Sequence, residues 1–261
     1  MKAGSVLLFF MLQFSVIAQF PYELTSNVDY SLVGFGALTL TVGQMVSTNV
    51  SPFTRDEVNQ LNPQDVNSLD RKTIFNYSES SNTLSEGVLL GTGLASLTLL
   101  ANKSIRRQWV IMGVMGMEVL MVTYGVASVT KTTVLRTRPY VYNAMVSMDR
   151  KQELDARFSF FSQSTAATAG IGFFAAKVFS DTHPHSKWKP LVWTGAIVLP
   201  AVTGWAKVDA GEHFITDVLV GYSVGALIGY FVPVMHFKKD NSGVDLKIHP
   251  QLNGLAMRMI F

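Results

Sequence analysis

The 261-residue sequence contains no cysteine. Disulfides, thiolate metal sites and a cysteine nucleophile are therefore excluded. Charge is also scarce: 15% of residues are charged, against roughly 25% in an average soluble domain. A chain that is 48% apolar has too little polar surface to cover itself in water. Neither sign of charge dominates, since 21 basic and 18 acidic residues leave a net charge of +3. That balance, with no basic patch interleaved with aromatics, excludes nucleic acid as a partner. The five histidines, His183, His185, His213, His236 and His249, are scattered without ligand spacing, so neither a metal nor another cofactor is indicated. A one-domain membrane protein remains.

What is present fits that class. Residues 1–18, MKAGSVLLFFMLQFSVIA, combine Lys2, an apolar stretch, and Val16 and Ala18 at the spacing a signal peptidase favours. They predict a secretory signal peptide or, uncleaved, a first span. Six apolar segments follow at about 31–48, 88–101, 108–130, 165–180, 190–206 and 214–236. Their Gly, Thr and Ser content predicts helices packed on one another, and Gly221, Gly225 and Gly229 form a stripe for close approach. The helical body is expected over 19–241, interrupted by a polar surface stretch at 51–86 that reads as short amphipathic helices. The tail, 242–261, contains Asn253-Gly254 between alternating residues, which predicts a β-hairpin.

Three polar clusters punctuate the apolar segments. "KTTVLRTRPY" supplies Lys131, Arg136 and Arg138, "SFFSQST" supplies Ser162, Ser164 and Thr165, and "AKVDAGEHFITD" supplies Lys207, His213 and Asp217. Each has a bland reading: a cationic membrane flank, helix-capping hydroxyls, and decoration of a helix N-terminus. If consecutive helices alternate in direction, however, all three meet at one face. Lys131, Arg138 and Lys207 then surround His213, whose ring the Asp217 carboxylate reaches from position i+4 of a helix. Such a cationic cluster beside a helix N-terminus suits phosphate.

Lys131, six residues, then Arg138-Pro139, followed by "AGEHFITDVLVGYSVGALIGY", resembles the first and third signatures of the type-2 phosphatidic acid phosphatase and vanadium haloperoxidase superfamily. The resemblance runs from about residue 31 to 236. It implies an all-α, multi-pass membrane helical bundle with six core helices, to which the predicted C-terminal β-hairpin is added. It further implies that His213 attacks phosphorus to give a phosphohistidine, that Asp217 orients the ring, and that Lys131 and Arg138 neutralise the phosphate oxygens. A soluble haloperoxidase is excluded by the hydropathy.

Two positions depart from the family pattern. Lys207 stands where the family has arginine, keeping charge but losing the bidentate fork. The second signature, Pro-Ser-Gly-His, aligns with Phe161-Ser162-Gln163-Ser164. The family's general acid is thus Ser164 here, with Glu212 and Asp209 the candidates to replace it. The expected function is removal of phosphate from a membrane lipid phosphate or diphosphate, with Ser162 and Ser164 joining the cations around the phosphate. A diphosphate is favoured because its leaving group needs less protonation. The alternative is a degenerate member that binds anionic lipid headgroups or a partner protein. Basic loops at 102–108, 186–190 and 237–240 predict a bacterial inner-membrane protein with its site facing the periplasm. A cleaved signal peptide followed by six spans predicts the opposite orientation, unless residues 31–48 stop short of crossing.

Overall fold

The computed structural model describes residues 20–238, 245–251 and 254–260. Residues 1–18, read as a signal peptide, and Asn253 of the expected tail turn lie outside the described residues. Six helices of 18 residues or more stand among those described: α1 (Ser26–Ser47), α3 (Glu79–Ser96), α5 (Trp109–Val134), α7 (Gln163–Thr182), α8 (Lys189–Asp209) and α9 (Ile215–Met235). Shorter α2 (Arg55–Gln60), α4 (Lys103–Arg107) and α6 (Met148–Lys151) lie in the connections. Two strands, β1 (Asp245–Gln251) and β2 (Gly254–Ile260), pair antiparallel with Asp245 opposite Ile260.

Local chemistry sets the helix starts. Thr54 and Glu57 close a reciprocal capping box on α2, and the Ser78 hydroxyl accepts from Ser81 N–H at the start of α3. The Ser78 cap is why α3 begins at Glu79, well inside the stretch read as surface loop. Asn102 and Ser147 cap α4 and α6 in the same way. The rest of the surface stretch does form short helical pieces, α2 and 3₁₀ turns at Pro63–Asp65 and Arg71–Phe75.

The long helices alternate in direction. At one end a cavity is lined by Gln44 and Ser47 from the end of α1, Asn82 and Glu86 from the start of α3, and Lys131 and Thr132 from the end of α5. At the other end Tyr22 bridges to Phe237, and Asn102 meets His183 at 2.8 Å. α1 runs the whole distance, with Asp29 beside His236 at the far end and Ser47 on the cavity. Residues 31–48 thus belong to one continuous helix that reaches from the far end to the cavity, although α1 is not among the segments long and apolar enough to cross a membrane among the described residues.

Small residues let these helices touch. A Cβ placed on Gly221, Gly225 or Gly229 of α9 would run into the carbonyl oxygens of Ser162, Ala166 or Gly170 on α7, so the glycine stripe is the α7–α9 seam. Four segments are long and apolar enough to cross a membrane: Glu79–Ala101, Trp109–Tyr142, Lys189–Asp209 and Ile215–Met235. Their outward surfaces expose Leu90, Leu94, Trp109, Ile197, Trp205, Leu219, Leu227 and Phe231. In water that would be a large apolar patch; against acyl chains it is the expected solvent-facing surface. The protein is a helical membrane protein.

Candidate active site

His213 is not on a helix. α8 ends at Asp209, and Gly211, with φ of +72°, turns the chain where a Cβ would collide with the Asn76 carbonyl. The amides of Glu212 and His213 then fold back onto the Lys207 carbonyl at 3.1 and 3.3 Å. α9 begins at Ile215, and Asp217, in its first turn, accepts the Phe214 N–H at 2.9 Å. The expectation of a His–Asp pair stacked on one helical face is corrected accordingly. The two approach because the chain reverses before the helix, and Nδ1 of His213 sits 3.7 Å from Asp217 Oδ2.

A network that the sequence reading missed holds Asp217. Ser159 Oγ donates to Oδ2 at 2.5 Å, and Arg136 binds Oδ1. Arg136 also binds Asp70 Oδ2 at 2.7 Å and lies 4.2 Å over the Phe214 ring. Asp70 in turn accepts from Thr216 N–H, the Thr216 hydroxyl and Asn67. Burial alone would raise the Asp70 pKa, but donors from Thr216, Asn67 and Arg136 outweigh it and hold the value low. Arg136 was visible in its basic cluster. Asp70 and Ser159 carried no signal, because they are distant in sequence and of common type.

Around the other ring nitrogen the site is cationic. Arg138 Nη1 is 3.4 Å from His213 Nε2. Burial first, and then the neighbouring Arg138 and Lys131, pull the His213 pKa down to about 3 against the opposing Asp217. That lowering favours the neutral ring; the Arg138 donor beside Nε2 favours a lone pair there and the proton on Nδ1, which faces Asp217 Oδ2 at 3.7 Å without a hydrogen-bond partner among the described residues.

Each predicted cation already has a partner. Arg138 binds Asp155 and Glu212 at 2.8 Å each, Lys207 binds Glu86 at 2.5 Å, and Lys131 donates to the Phe158 carbonyl at 2.5 Å. Arg150, not anticipated, reaches Glu212 at 3.0 Å. Burial pushes the Asp155 pKa up, yet Arg138 and Lys131 outweigh it and leave it lowered.

The cavity of about 550 Å³ brings together Lys131, Arg138, Lys207, His213, Ser164, Glu212, Asp155 and Arg150. Ser162 is not among its lining residues. It is fully buried, its hydroxyl paired with Thr165 at 2.8 Å, because it occupies the start of α7 under Gly221. Asp209 also lies off the cavity, accepting from Ser81 at 2.6 Å.

Comparison with known proteins gives two matches. The model of the PAP2 superfamily matches residues 109–241. Among solved structures, the crystal structure of the first transmembrane PAP2 type phosphatidylglycerolphosphate phosphatase from Bacillus subtilis aligns with a TM-score of 0.49 and 22% identity. That alignment covers 79% of this chain and 96% of the other. Among curated proteins, none matches.

Proposed function

The chain belongs to the PAP2 superfamily, and from that premise we propose that it is a phosphatase acting on a membrane lipid phosphate or diphosphate through a phosphohistidine. The observation that carries this reading is the convergence of His213 with Arg138, Lys131 and Lys207 on one cavity. In this scheme Nε2 attacks phosphorus, the bond to the leaving oxygen breaks, and water later releases phosphate from the ring. Asp217 stabilises the imidazolium that forms, and the Ser159, Phe214 N–H and Arg136 contacts keep the carboxylate aimed.

Lys131, Arg138, Lys207 and Ser164 form the phosphate pocket, while Ser162 supports the start of α7 from behind. An arriving phosphate must take the cations from Glu86, Asp155 and Glu212, and charge-assisted hydrogen bonds to a dianion favour that exchange. Neither candidate replacement acid is well placed. Glu212 is ion-paired with Arg138 and Arg150, and Asp209 lies off the cavity. A diphosphate substrate, whose leaving group needs little protonation, fits this gap.

The deciding experiment scores phosphate released by the purified protein from a panel of lipid phosphates and diphosphates. His213→Ala should abolish release; equal activity in that variant would sink the catalytic reading. A second reading, binding of anionic headgroups without turnover, is favoured by Ser164 standing on the cavity where the family has its general acid. A protein that binds the panel but releases nothing would establish it.

The basic loops at 102–108 and 186–190 lie at the end opposite the cavity, as do residues 20–23. With those loops in the cytoplasm of a bacterial inner membrane, the site faces the periplasm.

A further inference from the structure

At the end of the bundle remote from the cavity, three residues far apart in sequence converge. His236 Nε2 lies 2.9 Å from Asp29 Oδ1 and 3.3 Å from Glu118 Oε2, and one ligand atom from each falls within 4.8 Å of the others. Glu118 is fully buried on α5, and neither of its carboxylate oxygens has a hydrogen-bond partner among the described residues. A bare carboxylate in such a place costs several kcal/mol. His236 is buried too, and its Nδ1 lies 2.9 Å from the Val232 carbonyl.

We infer that Asp29, Glu118 and His236 form a binding site for a divalent first-row transition-metal cation. Two carboxylates and a neutral imidazole carry charge −2, which a divalent ion cancels, so the buried cluster becomes neutral. Nδ1–H donating to Val232 leaves the Nε2 lone pair free to coordinate, the outer-shell arrangement typical of ligating histidines. Ligands of a tetrahedral zinc about 2.0–2.1 Å from the metal lie roughly 3.3 Å apart, close to the separations of Nε2 from the two carboxylates. One imidazole with oxygen donors suits zinc or manganese better than magnesium or copper(I). Asp29 is only partly buried and gives the ion a path in. A bound ion would clasp α1, α5 and the end of α9, where Glu23 N–H also bonds the His236 carbonyl. The sequence offered no ligand spacing because the three ligands come from three different helices, Asp29 from the first turn of α1, Glu118 from within α5 and His236 from the end of α9.

The test uses the full chain in detergent, stripped with chelator and titrated with Zn²⁺ or Mn²⁺. Metal analysis after desalting should give one ion per chain for at least one of the two, and the melting temperature should rise by roughly 5 °C at a hundredfold excess over Kd. Glu118→Gln and Asp29→Asn should each lose the ion and the shift while retaining the wild-type elution volume. If Glu118→Gln misfolds, Asp29→Asn and His236→Gln decide. Wild type binding neither ion, or folded variants binding as wild type does, would overturn the site.

Discussion

The two ends of the helical body treat buried histidine in opposite ways. At the cavity end, His213 sits among Arg138, Lys131 and a fully engaged carboxylate, and its environment repels a proton. At the far end, roughly 30 Å away along α9 by its 21 residues, His236 lies between two carboxylates and a carbonyl. One end gathers basic side chains beside its histidine, and the other gathers acidic ones. The residue type is the same, so chemistry follows from the charges each helix end contributes and not from histidine itself.

The largest expected effect that would break this contrast is at Asp217. If it serves His213 by fixing the tautomer, Asp217→Asn should preserve folding and lower kcat by about 10⁴, as in wrong-tautomer variants of catalytic triads. Steady-state kinetics on the preferred lipid, with melting temperature as the folding control, checks it. A loss of activity that simply tracks loss of folded protein would reduce Asp217 to a helix cap.

Next comes the leaving group. The double change Gln163→Gly/Ser164→His restores the family's acid beside the cavity, and a positioned acid is worth about 10²–10⁴. The variant should gain by that order on phosphate monoesters and much less on diphosphates, measured as the ratio of the two kcat/KM values. Wild type hydrolysing a monoester as fast as the variant would show that some other group already donates the proton.

The cationic side is sharpened by vanadate, a phosphate mimic. Lys131→Ala and Arg138→Ala each remove a charged donor worth about 1.5–3 kcal/mol, so inhibition constants should rise about tenfold or more. Arg138→Ala should also free Asp155 and Glu212, leaving acids beside His213 that repel the anion further. Unchanged inhibition in both would make these residues membrane flanks and nothing more.

Much of the cavity end was legible because its key residues sit at helix ends flanked by apolar runs. Lys131, Arg138, Lys207 and His213 stand out as charge or imidazole where hydropathy argues against either, and alternation of helices brings them together. The inward turn of Ser162 was not legible, because it depends on packing under Gly221 and on a hydroxyl pair with Thr165, while its side chain makes no cap hydrogen bond. Asp70 was invisible, since its role depends on a loop folding onto Arg136. The Asp29, Glu118 and His236 cluster was hidden for the same reason: local spacing reports neighbours along a helix, not across three of them. The start of α3 was misplaced because hydropathy marks where a helix enters lipid, whereas the Ser78 cap marks where it begins.

The smallest expected effect concerns acid stability and isolates His213 from the rest. Its folded pKa is lowered to about 3 from an unfolded value near 6.5, so between those values the unfolded chain binds a proton that the folded chain excludes. Stability must therefore fall as pH drops through that window, by up to about 1.4 kcal/mol per pH unit from this group. Asp70 and Asp155, held below their ordinary values, add a loss of the same sign, but only as pH falls below about 4. Between pH 6 and 4.5 the imidazole is thus separable from these carboxylates. His213→Gln should flatten the dependence there, reducing the drop in melting temperature by roughly 3–5 °C per pH unit. Thermal unfolding of both proteins in detergent at three pH values gives the difference. Parallel curves would mean that the His213 ring protonates in the folded protein, and the neutral nucleophile at the cavity end would then have to be abandoned.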